Sequence, residues 1–238
     1  MTAIIRLTDR SGRELGTLMR NAPVVELSPT QGRREHRKQV TRRELLVAGR
    51  RLFSEKGLYD SRIEDVTQIA GVAKGTLYGY FADKEALVHA VVTSGFDELA
   101  GQVQRESRDA TSRVDRIERV VHAHLVFLDE NPDLMRLFHQ VRGVLKFEQP
   151  KAAGLRPVLE HHLEIVATRI SRDGRAWNER DLAAAKVLFG AVSGIASARA
   201  ATRPQDSIAV DAAATVRAIA AAVVTFDPSR PRTRRARS

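Results

Sequence analysis

The sequence predicts an all-α protein of about nine helices, from three observations. From Val40 onward, apolar residues recur three and four positions apart, as on one face of a helix, and no segment shows the sustained alternation of a strand. Helix-ending pairs such as Asn131-Pro132 and Asp173-Gly174 separate these segments. The chain has 238 residues, of which 43% are hydrophobic, so it has enough apolar side chains to fill a core.

The first part of this helical region contains one longer helix and two short ones. Gly57 ends the first helix, Gly71 ends the second, and the third follows within a few residues. Their apolar positions are, in order, Leu45, Gly49, Leu52 and Phe53, then Ile63, Val66, Ile69 and Ala70, then Leu77 and Phe81. Asp83 is the expected N-cap of a long amphipathic fourth helix that includes Val103.

Five further helices are expected in the remainder of the chain. Their ranges are 114–129, 132–147, 155–171, 179 to about 200, and about 207–226. We place a domain boundary near residue 85, which separates a small domain, 39–85, from a larger one, 86–226.

Positive charge is concentrated at the two ends of the chain. Residues 1–43 carry ten Lys and Arg against four Asp and Glu, residues 227–238 carry five against one, and the middle carries 24 against 24. Basic ends of this kind are typical of arms that contact a polyanion, and the alternative is that they are solvated tails. We predict that residues 1–38 form a mobile or loosely structured extension, with a small hairpin around residues 9–13, and that residues 227–238 form a basic tail.

The composition excludes several classes of protein. The chain has no cysteine, so it contains no disulfide, thiolate metal site or cysteine nucleophile. The longest uncharged apolar run, residues 187–198, is shorter than the roughly 18 residues of a membrane span, and the N-terminus lacks the apolar core of a secretory signal. We therefore expect a soluble, cytoplasmic protein with no membrane partner.

The stretch GVAKGTLYGYF, residues 71–81, suggests a contact with phosphate. A nucleotide-binding P-loop requires a Lys directly after its last Gly, where the Lys reaches the outer phosphates. Here Lys74 precedes Gly75, and no strand comes before the stretch. The order of the residues excludes a P-loop.

The same stretch fits the second half of a helix-turn-helix. Gly71 permits a left-handed turn, with the small residue Ala70 before it and the apolar residue Val72 after it. Leu77 and Phe81 are four positions apart and are expected to face inward. This arrangement directs Lys74, Thr76 and Tyr80 outward.

The stretch lies within IEDVTQIAGVAKGTLYGYFADKEALVHAVV, residues 63–92, which follows RRELLVAGRRLFSEKGLYDSRIEDV, residues 42–66. These segments resemble the DNA-binding domain of the TetR/AcrR family of bacterial transcriptional repressors, over residues 41–92. Ala73 stands where the family usually has a Ser or Thr helix cap, and Thr67 and Ile69 replace usual alanines. The loss of a cap costs about 1 kcal/mol.

The resemblance implies which residues contact DNA. Those expected to face the major groove are Lys74, Gly75, Thr76, Gly79 and Tyr80, and those expected to hold phosphates are Arg62, Tyr78 and Lys84. These residue types suit the roles, because amines and hydroxyls bind phosphates and base edges. The alternatives are that Tyr78 packs in the core and that Lys74, Lys84 and Arg62 are solvated surface charges.

The last two helices are the expected homodimer interface, because one recognition helix binds DNA weakly and two must be spaced by a DNA turn. Both helices are rich in Ala, Gly and Ser, which allows helices to approach closely. The predicted interface residues are Leu182, Phe189, Gly190, Ser193, Gly194, Ser197, Val216, Ile219 and Val223. The alternative is an ordinary Ala-rich core within one chain.

The resemblance also implies a small-molecule pocket among the central helices. Its expected lining is Leu125, Phe127, Leu128, Met135, Phe138, His139, Arg142, Phe147 and Trp177. The alternative is that this stripe is plain core. His139 and Arg142 could pair with an acidic ligand, or Arg142 could bridge to Asp133 or Glu160. Five histidines lie on predicted helices, but their spacing does not suggest a metal site, so we expect no metal and no cofactor.

The sequence thus favours a dimeric regulator that binds a palindromic operator in double-stranded DNA. We expect a repressor that leaves the DNA when an unknown small-molecule effector binds, and not an enzyme. Two alternatives stay open: an all-α small-molecule-binding protein or enzyme that retains the helix-turn-helix only as structure, and a module that uses it to bind partner helices.

Overall fold

The computed structural model describes residues 29–58, 60–146, 154–202 and 212–226. The described residues form nine helices and no strand, which confirms the all-α prediction. The helices are α1 (Pro29–Lys56), α2 (Ile63–Ala70), α3 (Lys74–Tyr78), α4 (Lys84–Glu106), α5 (Arg113–Glu130), α6 (Pro132–Lys146), α7 (Arg156–Ile170), α8 (Glu179–Thr202) and α9 (Ala212–Thr225).

The chain divides into two units, Met1–Thr41 and Arg42–Ser238. In the first unit, α1 begins at Pro29, earlier than its apolar stripe predicts. Residues 33–40 are all exposed, so this part of the helix has no apolar face that periodicity could detect. The hairpin predicted around residues 9–13 and the basic tail 227–238 lie outside the described residues.

The helix ends in the second unit follow from local sequence. Asp83 caps α4 as predicted, because its side chain accepts a hydrogen bond of 2.7 Å from the backbone N–H of Ala86. Ser112 caps α5 in the same way through Asp115 N–H. Gly57 and Gly71 adopt positive φ angles of 96° and 66°, which end α1 and α2.

The core of the second unit lies where α4, α5 and α7 meet. α8 packs on α7, and α9 packs on α5. Leu99, Ile117, Leu125 and Ile170 are fully buried there. A Cβ atom added at Gly95 of α4 would lie 2.7 Å from Leu134 Cδ2 of α6, so α4 and α6 approach closely only because this residue is a glycine.

Two side chains connect the end of α1 to α6. Arg50 pairs with Asp133, through a hydrogen bond of 2.9 Å from Nη2 to Oδ1, and with Glu98 at 3.0 Å. The Gln140 amide donates to Phe53 O at 3.0 Å and accepts from Leu58 N–H at 2.9 Å. We call these two sets of contacts the joint. They connect the helices before the turn at Gly71 to the larger group of helices.

Residues Glu179–Arg199 of α8 are long and apolar enough to cross a membrane by length and composition alone, with a mean hydropathy of 1.4. In the folded chain, 44% of the most apolar 18-residue stretch of this segment is buried. A core helix of a helical bundle has the same properties, so the packing of α8 on α6 and α7 accounts for its apolar character.

Candidate nucleic-acid interface and ligand cavities

The short helix α3 lies on a small apolar core. Leu77 is fully buried and Phe81 is 5% exposed, and both belong to the apolar cluster that includes Val66 of α2. Gly71 joins α2 to α3 in the left-handed conformation, with its N–H bonded to Gln68 O. The inward direction predicted for Leu77 and Phe81 and the left-handed turn at Gly71 are therefore confirmed.

The opposite face of α3 is exposed. Lys74, Gly75, Thr76 and Tyr78 lie on the surface, and Tyr78 is 46% exposed. Outside its own helix, no atom of the described residues lies within 4 Å of the position that a Cβ would take at Gly75, so a large ligand can approach the backbone there. This polar, accessible face is what a recognition helix requires.

Gly79 and Tyr80 lie after the end of α3. Gly79 is the C-cap, and its N–H bonds to Gly75 O at 3.2 Å. Tyr80 is half-buried against the apolar cluster, with its N–H bonded to Leu77 O at 2.9 Å. The ring of Tyr80 is thus fixed by packing more firmly than the ring of Tyr78.

The N-terminus of α3 has no side-chain cap. Ala73 occupies the N-cap position with φ −69° and ψ 150°, which is the extended backbone typical of a cap. Its methyl group cannot accept a hydrogen bond from the first turn. A helix of five residues therefore begins without the contact that a Ser or Thr would supply.

Lys74 pairs with Glu64 in the first turn of α2. The ammonium forms an ion pair with the Glu64 carboxylate and lies 6.0 Å from the centre of the Tyr78 ring. The hydrogen bond and charge of Glu64 raise the pKa of Lys74, and the Lys74 hydrogen bond lowers the pKa of Glu64. Both groups are exposed, so a phosphate or base edge can replace Glu64 as the partner of Lys74.

The two other predicted phosphate contacts lie at helix starts. Arg62 is exposed at the N-cap of α2, and Lys84 is the half-buried first residue of α4. Arg42, which the sequence reasoning missed, holds its guanidinium 5.6 Å from the centre of the Phe81 ring. Phe81 lies far from Arg42 in the sequence, so only the fold shows that this charge lies beside the end of α3.

The residues predicted to line the pocket lie in three different places. Leu125, Phe127 and Leu128 of α5 are buried in the core. Phe138 stacks on Phe96 of α4, with ring centroids 4.1 Å apart. His139 and Arg142 line an open groove beside α8. Met135 and Trp177 are half-buried, and Phe147 lies outside the described residues.

The open groove beside α8 has a volume of about 600 Å³ and is lined by His139, Arg142, Lys146, Gly194 and Ser197, among others. Ser197 Oγ lies 2.7 Å from His139 Nε2 and donates to Ser193 O at 2.6 Å. Burial and the charge of Arg142 lower the pKa of His139. Because the hydroxyl proton of Ser197 is directed at a carbonyl, His139 does not accept it, and the pair is not arranged as a nucleophile and base.

Two neighbouring cavities border α4 on the side of α7 and its preceding residues. One, of about 270 Å³, is lined by residues of α4 and α7 that include Phe96, Ala100 and His162. The other, of about 520 Å³, lies at the start of α4 and includes Lys84 and the loop residue Leu155. His89 of α4 lines both, so the two cavities are neighbours along one face of the helix.

A pair of buried histidines borders the smaller cavity. His124 of α5 is fully buried, His162 of α7 is 1% exposed, and their Nε2 atoms are 3.2 Å apart. Burial lowers the pKa of His124 to about 4 and also lowers that of His162, whose pKa the charges of His124 and His161 lower further. In the described part of the chain, no three His, Asp or Glu side chains are grouped to hold a metal.

The predicted interface residues of α8 and α9 fall into two groups. Phe189, Ser193, Val216, Ile219 and Val223 are at most 7% exposed within the single chain. Gly194 is exposed, and Leu182, Gly190 and Ser197 are half-buried. The outward face of α8 also holds Val187, which is 40% exposed. Within the described part of the chain, no atom outside the backbone of α8 lies within 4 Å of a Cβ position at Gly190 or Gly194. A partner using these helices would therefore contact the outward group.

Residues 45–91 match the family described as bacterial regulatory proteins, tetR family. Residues 45–91 are therefore a domain of the tetR family. It is 29% identical to the transcriptional activator FasR of Mycolicibacterium smegmatis over 56% of this chain and 59% of FasR. It is 30% identical to the transcriptional repressor KstR2 of the same species over 37% of this chain and 49% of KstR2. The chain thus spans about half the length of these curated relatives.

The TetR-family fold extends through the larger group of helices. The crystal structure of FadR from Bacillus subtilis in complex with stearoyl-CoA matches with a TM-score of 0.63 over 75% of this chain and 97% of that chain. The two sequences are only 16% identical in this match. At this identity, the match shows that the two proteins share a fold. It does not identify a ligand for this chain, because residues that bind a ligand differ between proteins of one fold.

Proposed function

We propose that this chain is a sequence-specific DNA-binding transcriptional regulator of the TetR family. The exposed face of α3 carries the proposal, because Lys74, Thr76 and Tyr78 project from a helix whose opposite face is buried. Phosphates bind Lys and hydroxyl groups, and base edges in the major groove are read by the same groups. Arg62, Lys84 and Arg42 add positive charge at the neighbouring helix starts and beside Phe81.

Two copies of the chain are required for firm binding to DNA. A single five-residue recognition helix offers few contacts, and a two-fold dimer places a second helix on the next half-site of a palindromic operator. The outward faces of α8 and α9 supply the interface. Their exposed Ala and Gly positions allow two such pairs of helices to approach closely.

A small-molecule effector regulates binding by changing the position of the recognition helices. FadR, whose fold this chain shares, has been crystallised with stearoyl-CoA, which supports a ligand within the helical body. In this chain the joint at Arg50 and Gln140 connects α6 to α1, so displacement of α6 shifts the helices that carry α3. The effector must bind the displaced conformation more tightly, because only a difference in affinity shifts the equilibrium.

We further propose that the protein acts in the cytoplasm and is a repressor, a role that the name of the relative KstR2 gives for that protein. Bound at an operator that overlaps a promoter, it would exclude RNA polymerase until the effector binds. A reporter fused to the operator should gain expression when the gene for this chain is deleted. Loss of expression instead would show an activator.

A gel shift on the DNA upstream of its own gene tests the DNA-binding role. Tyr80→Ala and Lys84→Ala should each weaken binding about tenfold or more, because each removes a base or phosphate contact. Arg172→Ala, which removes an exposed cation far from α3 in sequence, is the matched control and should bind like the parent. Equal binding by all four folded proteins would contradict the assignment of these residues.

Glu64 offers a second test of the same surface. Glu64→Gln removes the carboxylate that competes with DNA for Lys74, so DNA affinity should rise severalfold at low salt. Lys74→Ala should lower affinity and reduce the steepness of log affinity against log salt by about 1.8 for a bound dimer, because each of the two chains loses one charge worth about 0.9. If neither variant changes binding, Lys74 does not contact DNA.

A further inference from the structure

The cavity between α4 and α7 is bordered by a histidine with an unpartnered nitrogen. His162 lines the cavity, and its Nδ1 atom is buried with no hydrogen-bond partner among the residues that the structure describes. A buried polar atom without a partner costs free energy, so such atoms are rare in folded proteins. The Nδ1 atom of His162 therefore marks a place where a ligand can supply the missing partner.

The neighbouring contacts determine the role of this nitrogen. His124 Nδ1 lies 2.7 Å from Val120 O, and a carbonyl only accepts, so His124 Nδ1 carries the proton. In the neutral ring, His124 Nε2 is then an acceptor, and His162 Nε2, 3.2 Å away, must donate to it. Neutral His162 has no second proton. Its Nδ1 atom is consequently a hydrogen-bond acceptor.

The other walls of the cavity are mainly apolar. Phe96 and Ala100 of α4 face Val158 and Ile165 of α7 across a volume of about 270 Å³. An apolar protein cavity of about 150 Å³ is large enough for benzene, so this one accepts a molecule larger than a single ring. Asp97 also lines the cavity, and its carboxylate disfavours an anionic ligand.

We propose that this cavity binds an uncharged, mainly apolar molecule that donates one hydrogen bond, from a hydroxyl or N–H group, to His162 Nδ1. The assignment of this molecule as the effector rests on the proposed function. A ligand bound next to Phe96 would also be coupled to the joint, because Phe96 stacks on Phe138 of α6. The same helix carries Asp133 and Gln140.

A matched pair of probes tests the hydrogen bond. The full chain is titrated calorimetrically, without DNA, with 1-naphthol and with 1-methylnaphthalene, which have the same shape but differ in the donor. The parent should bind 1-naphthol about tenfold more tightly, as expected for a hydrogen bond to a buried acceptor. Equal affinities, or no binding of either probe, would overturn the proposal.

Two variants locate the effect. His162→Phe keeps an aromatic ring of similar size and has no hydrogen-bond acceptor, so it should bind both probes equally and lose about tenfold in affinity for 1-naphthol. Val158→Trp fills the cavity from a half-buried position and should bind neither probe. Continued preference for 1-naphthol in a folded His162→Phe variant would refute the role of His162.

Repeating the titration with operator DNA separates this inference from the proposed function. If 1-naphthol binds as described and releases DNA from the parent but not from Val158→Trp, the cavity is an effector site. If it binds as described without affecting DNA, the chemistry of the cavity stands and the effector role is wrong. If the parent binds no DNA at all while the probe preference persists, only the proposed function fails.

Discussion

The α2–α3 region and the core around His124 are built in different ways. In the first, Gly71 turns the chain and Leu77 fixes α3 through contacts between residues close in sequence, while the charged groups remain on the surface. In the second, His124 and His162 are 38 positions apart and both are buried. The surface of the α2–α3 region therefore depends on local turn geometry. The core around His124 depends on contacts between residues far apart in the sequence, and these include groups that can bind protons.

The largest expected effect tests the apolar core beneath α3. Leu77→Ala should lower the free energy of unfolding by about 3 kcal/mol, because it removes most of a fully buried side chain and leaves a cavity. Chemical denaturation measures this loss. Thr76→Ala is the exposed neighbouring control and should change stability by less than about 0.5 kcal/mol while weakening DNA binding. Equal effects of the two substitutions would show that α3 is not packed as described.

The pH dependence of stability tests the buried core around His124. The pKa of His124 is about 4 in the folded chain against an ordinary value of 6.5, so the unfolded chain binds the extra proton between these pH values. Stability is therefore complete above pH 6.5 and decreases as the pH falls, by about 2 kcal/mol at pH 5 for this group alone. His162 acts in the same direction. Denaturation at pH 7 and pH 5 measures the difference.

A substitution at His124 assigns that dependence. His124→Gln cannot take up a proton, and its side-chain oxygen can still accept from His162 Nε2. The loss of stability between pH 7 and pH 5 should be smaller by about 2 kcal/mol in this variant. An unchanged pH dependence would place the titrating groups elsewhere.

The side chains of the joint are intermediate in exposure between the surface of the α2–α3 region and the buried core around His124. Arg50→Ala should cost about 1.5 kcal/mol, more than an exposed ion pair and less than a fully buried one, because both partners are partly exposed. Arg51→Ala, which breaks only an exposed pair with Glu55, should cost less than about 0.5 kcal/mol. A double-mutant cycle of Arg50 with Asp133 isolates the interaction. Additive effects would show that the two residues are not coupled.

The smallest expected effect is an increase in the stability of α3. Ala73→Ser supplies the missing cap of α3 and should stabilise that helix by about 1 kcal/mol. Hydrogen exchange of the α3 amides measures the gain, and DNA affinity should increase with it. Ala73→Val, which provides no side-chain acceptor and is as poor an N-cap residue as Ala, should produce no such protection.

Much of the fold could be predicted from the sequence. The bounds of α5 to α7 follow from Pro132, Asp173 and the apolar spacing, and the turn at Gly71 follows from the residue type. The start of α1 could not be predicted, because residues 33–40 have no buried face. The length of α3 also could not be predicted: the helix ends at Tyr78 and leaves Tyr80 outside, although Gly79 keeps a helical backbone with φ −70° and ψ −16°.

The cavity and the joint were beyond sequence reasoning for a physical reason. A signal for the histidine pair existed, because His124 follows Ile117 and Val121 at helical spacing and so occupies a buried position. Its partner on α7 and the contacts of Arg50 with α6 depend on how the helices pack. Periodicity shows which face of a helix is buried, but it does not show which helix covers that face.

The Gln140 amide has a consequence for observing this molecule in solution. Because Leu58 N–H donates to a side chain of α6, its exchange with solvent deuterium requires that contact to open. The Gly57 N–H bonds within its own turn, to Phe53 O, and provides an internal reference one residue away. The ratio of the two exchange rates would therefore report the opening of α1 from α6 at a single pair of amides, with neither DNA nor a chemical label.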